Sequence, residues 1–354
     1  MNAQNATKTI LIAPLNWGLG HATRCIPIIK ALQENNFIPI IASDGQALEI
    51  LKKEFPYIKT LELPSYQIEY AKNGIYFKWK LLKNCTKTIS AIWKEQKLIE
   101  KWIADYEIDG IISDNRLGCY SKKIPSVYIT HQLNVLSGNT TWLTSNLHQR
   151  TIKKYRECWI PDVEKNPNLT GVLSHSKNYI QKLKYIGPLS RITKKELPIQ
   201  FDLMVILSGP EPQRGLLEEK LIQELKRYKG AVLFIKGKIE KEQKKEQIKN
   251  ILFYNFMNSR QLEQAYNESN LILCRSGYTT IMDLVALEKK AFFIPTPGQY
   301  EQIYLAQKLK TDGLAPFANQ DDFKIENLFE LKNYKGFEII KNEIDWKNAF
   351  EVFK

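Results

Sequence analysis

LILCRSGYTTIMDLVALEKKAFFIPTPGQYEQ, residues 271 to 302, decides the fold. Its apolar run Leu271 to Leu273 turns at Ser276 and Gly277, after which Ile281, Leu284, Val285 and Leu287 recur at helical spacing. A second apolar run, Ala291 to Ile294, breaks at Pro295 and Pro297 into a loop rich in amides and carboxylates. The unit therefore reads strand, turn, helix, strand, polar loop. In an open parallel sheet, ligands bind beyond the C-terminal ends of the strands, where both the RSGYTT turn and the PGQYEQ loop belong.

The same grammar extends in both directions. FDLMVILSG, from Phe201, is a strand entering a glycine turn; GLLEEKLIQELKRY is a helix and GAVLFIKG another strand. Near the N-terminus, Lys8 to Pro14 is a buried strand, NWGLGHATR (16 to 24) the loop after it, and Ile26, Ile28, Ile29 and Leu32 the apolar face of a helix leading to the strand Phe37 to Ala42. Two doubly wound α/β units follow, each Rossmann-like. IGPLSR (186 to 191) and TKKELP read as the linker, giving domains 1–187 and 188–335, with a final helix at about 336–354 packing back onto the first.

Composition narrows the class. At 354 residues, 44% hydrophobic and 25% charged, the chain is too long for one ordinary core. No apolar run approaches the ~20 residues of a membrane span, and MNAQNATKTILIAP has no secretion-signal pattern, so the expected location is the cytoplasm. Five cysteines without a CxxC pair and four histidines without zinc spacing point away from a disulfide framework or a metal site. The formal charge of +13 fits nucleic acid, an anionic membrane surface or a phosphate-bearing substrate. In KGKIEKEQKKEQIK (236 to 249) Glu and Gln interleave with Lys as on a solvated surface, and nucleic acid is not expected as a partner. Residues 75–106 carry Leu82, Cys85, Ile89, Ile92, Ile99 and Ile103 on one helical face, ringed by lysines, with Trp79, Trp93 and Trp102 nearby. That stripe suits a helix packed on the sheet; it also suits peripheral contact with the inner face of the cell membrane.

Candidate chemistry gathers at the strand ends. Gly18 and Gly20 permit tight turning and close approach to a ligand, and the following helix start offers free N–H groups to an anion. His21 follows at the helix mouth, placed either to cap and pack or to act in a site. Asp114, Asn115 and Arg116 end the strand IDGIIS, and His131 follows PSVYIT; in a parallel sheet these face the crevice of His21.

LCRSGYTTIMDL and PTPGQYEQ resemble the donor-binding segments of the family 28 inverting glycosyltransferases, to which the N-acetylglucosaminyl transferase of lipid II synthesis and plant galactolipid synthases belong. NWGLGHATR resembles that family's N-terminal glycine loop, placing Gly18, Gly20 and Arg24 there, and HQLN, opening with His131, resembles its acceptor-domain loop. The resemblance implies a GT-B fold, two Rossmann-like domains facing across a cleft, and a UDP-sugar co-substrate without a cofactor or metal. It implies that Asp283 holds the ribose hydroxyls, and that Arg275, Ser276, Gly277 and Thr280 line the donor pocket. Gln299, Glu301 and Gln302 would read the sugar, Phe256 and Met257 bracket the base, Ser208 and Gly209 form the phosphate turn, and Arg191 lie near the diphosphate.

The sequence departs from the family in a shortened glycine run, GLGH, and in SGPEP, where Pro210 and Pro212 cannot donate N–H groups. Inverting transfer needs one base and a stabiliser for the departing diphosphate. His21, with an ordinary pKa near neutrality, is the expected base, and Asp114 the competing base or the group that orients it. The acceptor is a hydroxyl of unassigned identity, a lipid or envelope-glycan precursor being the class implied. Two other classes share the layout: a UDP-N-acetylglucosamine 2-epimerase, which needs no acceptor, and a non-catalytic nucleotide-binding protein.

Overall fold

The computed structural model describes residues 7–66, 77–136, 141–175, 182–238, 240–340 and 343–354, without the side chains of 77–87, 143 and 147. The first sheet has seven strands in the order β3-β2-β1-β4-β5-β6-β7: β1 (Thr9–Pro14), β2 (Ile38–Ser43), β3 (Thr60–Glu62), β4 (Ile108–Asp114), β5 (Ser126–Ile129), β6 (Glu157–Ile160) and β7 (Leu183–Tyr185). All its pairings are parallel. Helices cover both faces of such a sheet, which is why TILIAP and IPIIAS are almost unbroken apolar runs rather than alternating ones. The helices include α1 (Gly20–Glu34), α2 (Gly45–Glu54), α3 (Phe77–Asp105) and α4 (Thr141–Ile152).

The second sheet has six strands, β10-β11-β9-β8-β12-β13: β8 (Phe201–Ile206), β9 (Val232–Ile235), β10 (Lys245–Ile248), β11 (Ile251–Tyr254), β12 (Ser269–Cys274) and β13 (Lys290–Phe293). Its helices are α5 (Gln213–Leu225), α6 (Ser259–Asn267), α7 (Tyr278–Leu287) and α8 (Tyr300–Thr311). The 271–302 stretch is β12, α7, β13 and the loop into α8. That loop is shorter than the sequence suggests: Gln299 is the N-cap and Glu301 lies in the first turn of α8, where a carboxylate complements the helix dipole.

Two further expectations change, and one strand is added to a segment read as solvated surface. The lysine-rich segment 236–249 contributes β10, an exposed antiparallel edge strand against β11, which its polar composition disguises. In α3 the buried side is drawn by Ala91, Glu95, Ile99 and Trp102, whereas Ile89 (54%) and Trp93 (69%) are exposed, so the apolar stripe is split between two faces. The final helix is confined to α9 (Trp346–Ala349) and a 3-10 turn, Phe350–Phe353; Gly336 at φ +80° and the turns after Phe337 interrupt the rest.

The chain crosses between the sheets twice. Residues 186–200 run from β7 to β8, and the C-terminal segment returns, its Ile344 passing within 3.2 Å of the position a Cβ on Gly187 would take. The tail then locks onto the first sheet. Phe350 and Phe353 pack edge-on against Phe37, and both lie near Trp159, while Lys8 Nζ donates to the carbonyls of Phe353 and Lys354.

Gly110 in β4 leaves room for the Phe353 ring, which a Cβ would meet at 2.4 Å. We therefore expect Phe353→Ala to cost about 3 to 5 kcal/mol through the cavity it opens. Urea unfolding checks this, and a loss within about 1 kcal/mol would mean that the tail is not part of the core.

Candidate active site

The C-terminal ends of β1, β4 and β5 bring together side chains far apart in sequence. Asp114, the last residue of β4, is fully buried directly beside the start of α1. Arg24, one turn into α1 and also buried, grips it through both carboxylate oxygens, Nε to Oδ2 and Nη2 to Oδ1. A guanidinium fork matches a carboxylate in this way, and the pairing satisfies charges that would otherwise be very costly to bury. Burial alone would raise the Asp114 carboxyl, yet Arg24 and His21 beside it hold it well below the usual carboxylate range.

His21 stands on the same face of α1, three residues before Arg24. Its Nδ1 lies 2.9 Å from Asp114 Oδ1 and 2.9 Å from Arg24 Nη2. Only one of those contacts can be a hydrogen bond at a time, because the carboxylate can only accept and the guanidinium can only donate. We assign the proton to Nδ1, donated to Asp114: the other tautomer would set a lone pair against the carboxylate, while Arg24 Nη2 already has Oδ1 as an acceptor. This leaves the Nε2 lone pair available, and no hydrogen bond among the described residues takes it up. Burial pulls the His21 pKa below its ordinary value; Asp114 opposes this and Arg24 reinforces it. An imidazole that is neutral at pH 7, with a carboxylate behind it to stabilise the imidazolium, is equipped to take a proton.

The second domain meets this cluster at the start of α7. A Cβ on Gly20 would come within 2.6 Å of Thr279 Oγ1, so glycine lets the two helix starts approach. Tyr278 stacks on His131 at 4.2 Å between centroids and 6° between planes, and its hydroxyl donates to the Pro161 carbonyl. His131 Nε2 is 2.8 Å from Glu301 Oε1 on α8, and its Nδ1 is 3.3 Å from Arg24 Nη1. His21, Arg24, Asp114, His131 and Glu301 thus form one connected group across the cleft.

The remaining expected residues divide into two sets. Asp283 on α7 is half-buried, with Oδ1 accepting from Ser190 at 2.6 Å; burial pushes its carboxyl up to about 6 against the pull of Ser190 and Arg191. Arg191 donates to Ser259 at the start of α6, and Phe256 and Met257 precede that helix. Ser208 and Gly209 follow β8 in an exposed turn, Gly209 at φ +97°, a conformation open to glycine. Gly18 makes a similar turn at φ +73°, with Trp17 exposed before it. Gly277 is the N-cap of α7 and Thr280 is half-buried in its first turn.

The other set makes hydrogen bonds within the second domain. The Arg275 side chain is buried, with Nη1 donating to the carbonyls of Ile294 and Pro295 and Nη2 to the Gln213 carbonyl and Gln320 Oε1, joining the loops after β12 and β13 to the start of α5, while its buried Nε has no hydrogen-bond partner among the described residues. Ser276 is likewise buried, its hydroxyl donating to the Gln302 carbonyl. Gln302 accepts from Thr296 N and donates to Gln299 Oε1, so these two amides shape the loop.

Sequence reasoning missed the connections more than the residues. Arg24 lies three residues after His21 on a helix, a spacing that puts both on one face, and that signal could have made it the partner of Asp114. Gln132, beside His131, also reaches Glu301. Arg116 turns away from the crevice into a buried cluster with Asp44 and Glu95, where Tyr66 also donates to Glu95. Burial pushes Glu95 up to about 7 despite the opposing pull of Arg116. This cluster ties α3 to the glycine loop, because Asp44 also accepts from Asn16 at 3.2 Å.

Residues 213–333, from the first residue of α5 onward, match the model of the glycosyltransferase family 28 C-terminal domain. The second domain is thus similar to the C-terminal domain of the family 28 glycosyltransferases. Among curated relatives, the UDP-N-acetylglucosamine-N-acetylmuramyl-(pentapeptide) pyrophosphoryl-undecaprenol N-acetylglucosamine transferase of Buchnera aphidicola subsp. Schizaphis graminum is 24% identical over 268 residues, 71% of each chain. The enzyme of the same name from Glaesserella parasuis is 22% identical over 92% of this chain and 88% of its own. The fold is similar to that of Acinetobacter baumannii MurG (TM-score 0.59, 14% identity, 98% and 99% covered) and of Phytolacca americana UGT2 (TM-score 0.63, 13% identity, 98% and 93% covered). The family 28 resemblance of the 271–302 stretch and the GT-B architecture are therefore both borne out.

The ion pair at the centre of the site has a stability consequence. Asp114→Asn leaves Arg24 buried without its counter-ion, and we expect a loss of about 3 to 5 kcal/mol in urea unfolding. A loss within about 1 kcal/mol would show that Arg24 does not depend on Asp114 for its charge balance.

Proposed function

We propose that the chain transfers N-acetylglucosamine from UDP-N-acetylglucosamine to a hydroxyl of a lipid-linked acceptor, with inversion and without a metal. The observation that carries this reading is the placement of His21: it is oriented by Asp114, lies at the inter-domain seam and sits opposite the start of α7. Support for the donor comes from the names of the relatives and from the match over 213–333.

In this mechanism His21 Nε2 accepts the proton of the acceptor hydroxyl as its oxygen attacks the anomeric carbon from the face opposite the diphosphate. The C–O bond to the diphosphate breaks, and UDP leaves with the electron pair. Asp114 steadies the imidazolium through Nδ1–H. The starts of α1 and α7, facing one another, provide partial positive charge for the departing diphosphate. Asp283 accepts the ribose hydroxyls with the oxygen that Ser190 leaves free, and Glu301 reads the sugar. Arg24 has a further effect: by neutralising Asp114 it keeps His21 from being permanently protonated at neutral pH.

For the acceptor side we propose contact with an anionic membrane through α3, where Ile89 and Trp93 are exposed one helical turn apart beside Lys94, Lys97 and Lys101. The rest of the 75–106 expectation, residues 75 and 76 and the side chains of 77–87, lies outside the described residues. No helix among the described residues is long and apolar enough to cross a membrane.

The direct test is product analysis with UDP-sugars and undecaprenyl-linked acceptors: sugar transfer and UDP release only when acceptor is present supports the proposal, whereas donor isomerisation without acceptor contradicts it. His21→Ala should lower turnover by about 10^2-fold or more while leaving UDP affinity within about twofold; unchanged turnover would remove His21 from catalysis. Donor binding should also depend on pH through Asp283. Its carboxyl, pushed up to about 6, must be ionised to accept ribose hydroxyls, so affinity should be level above pH 7 and weaken as pH falls below 6. Calorimetry with UDP-N-acetylglucosamine from pH 5 to 8 reads this, and a slope that persists in Asp283→Asn would assign it to another group.

A further inference from the structure

The carboxylate expected to read the donor sugar is already held by the opposite domain. Glu301 projects from the first turn of α8, and its Oε1 lies 2.8 Å from His131 Nε2. Its Oε2 accepts from Gln132 Nε2. Both partners belong to the loop after β5 in the first domain. That loop is itself fixed: Gln132 N donates to Thr130 Oγ1 at 3.1 Å, and His131 is stacked on Tyr278.

The protonation of His131 follows from its neighbours. Arg24 Nη1 faces Nδ1 at 3.3 Å, and a guanidinium can only donate, so Nδ1 must carry the lone pair. The proton is then on Nε2, directed at Glu301. Arg24 is in turn fixed by Asp114. The direction of each bond is thus set from Asp114 through Arg24 and His131 to Glu301, with no freedom for the histidine ring to reverse its roles.

Each Glu301 oxygen has room for more than one hydrogen-bond donor, and the side chain keeps 33% of its surface exposed. Two sugar hydroxyls could therefore be accepted while His131 and Gln132 stay in place. A carboxylate orienting hydroxyls discriminates between epimers only if its own oxygens are fixed, since a mobile one follows either epimer.

We propose that His131 and Gln132 are positioning residues for donor-sugar selection, acting through Glu301, so that the sugar subsite is complete only when the two domains are closed. This rests on the nucleotide-sugar reading above. Nucleotide binding and sugar recognition are then separable: UDP alone engages the second domain, while the sugar also requires the first domain's grip on Glu301.

The test compares calorimetric affinities of the full chain for UDP, UDP-N-acetylglucosamine and its 4-epimer UDP-N-acetylgalactosamine. His131→Phe keeps a ring to stack on Tyr278 but removes the donor, and Gln132→Ala removes the second contact. In each variant we expect the preferred nucleotide sugar to bind about tenfold more weakly, epimer discrimination to shrink, and UDP to stay within about twofold. His131→Gln, which retains an N–H donor, should recover part of the discrimination. Equal losses for UDP and UDP-sugar would reveal a merely structural role and overturn the proposal, as would unchanged discrimination in both variants. A parent protein that binds no nucleotide sugar would instead overturn the donor reading, an outcome visible before any variant is made.

Discussion

The buried ion pair between Arg24 and Asp114 is the interaction on which the site depends. It joins α1 to the end of β4 at the centre of the first sheet, and both members are withdrawn from water. Such a pair adds little net stability over an apolar replacement, but it cannot lose one partner cheaply. Its value here is chemical. An unneutralised carboxylate at that position would keep His21 protonated, and an unneutralised guanidinium would strip it of basicity. With both present, the imidazole stays below its ordinary pKa yet retains a carboxylate to support the charge it gains on taking a proton.

The same guanidinium extends this order across the cleft. Through His131 it reaches Glu301, and through the close approach of Gly20 to Thr279 the first helix of one domain abuts the α7 start of the other. The proposed base, His21, and Glu301, proposed to read the sugar, are then parts of one hydrogen-bonded assembly rather than two surfaces that happen to face each other. The two chain crossings near Gly187, and the tail pinned by Phe350 and Phe353, carry the covalent and apolar side of that arrangement.

Much of the architecture was legible in the sequence because parallel strands buried on both faces write themselves as apolar runs, and because proline and glycine punctuate the turns. LILC, AFFI, TILIAP and IPIIAS need no tertiary information to be read. The polar edge strand β10 lacks that signature, and the start of α8 was hidden by PTPGQYEQ, whose polar composition suits a loop and a helix first turn equally. The candidate site was legible as a set of residues but not as a network. His21, Asp114, His131 and Glu301 each stood out at a strand or helix end, while the bonds joining them span as many as 170 positions. The surroundings of Arg275 were illegible for the opposite reason: nothing in the sequence shows that its Nη1 and Nη2 donate to oxygens of Ile294, Pro295, Gln213 and Gln320.

Asp114 and Arg24 hold His21 as a neutral imidazole with its free lone pair on Nε2. Nitrogen-15 NMR of the histidine-labelled protein tests this most directly, since protonated and unprotonated ring nitrogens resonate far apart, and His21→Gln identifies the signal. A proton on Nδ1, a bare Nε2 at pH 7 and a titration midpoint below the ordinary histidine value are expected. A proton on Nε2 with Nδ1 accepting from Arg24, or an imidazolium persisting at pH 7, would contradict it.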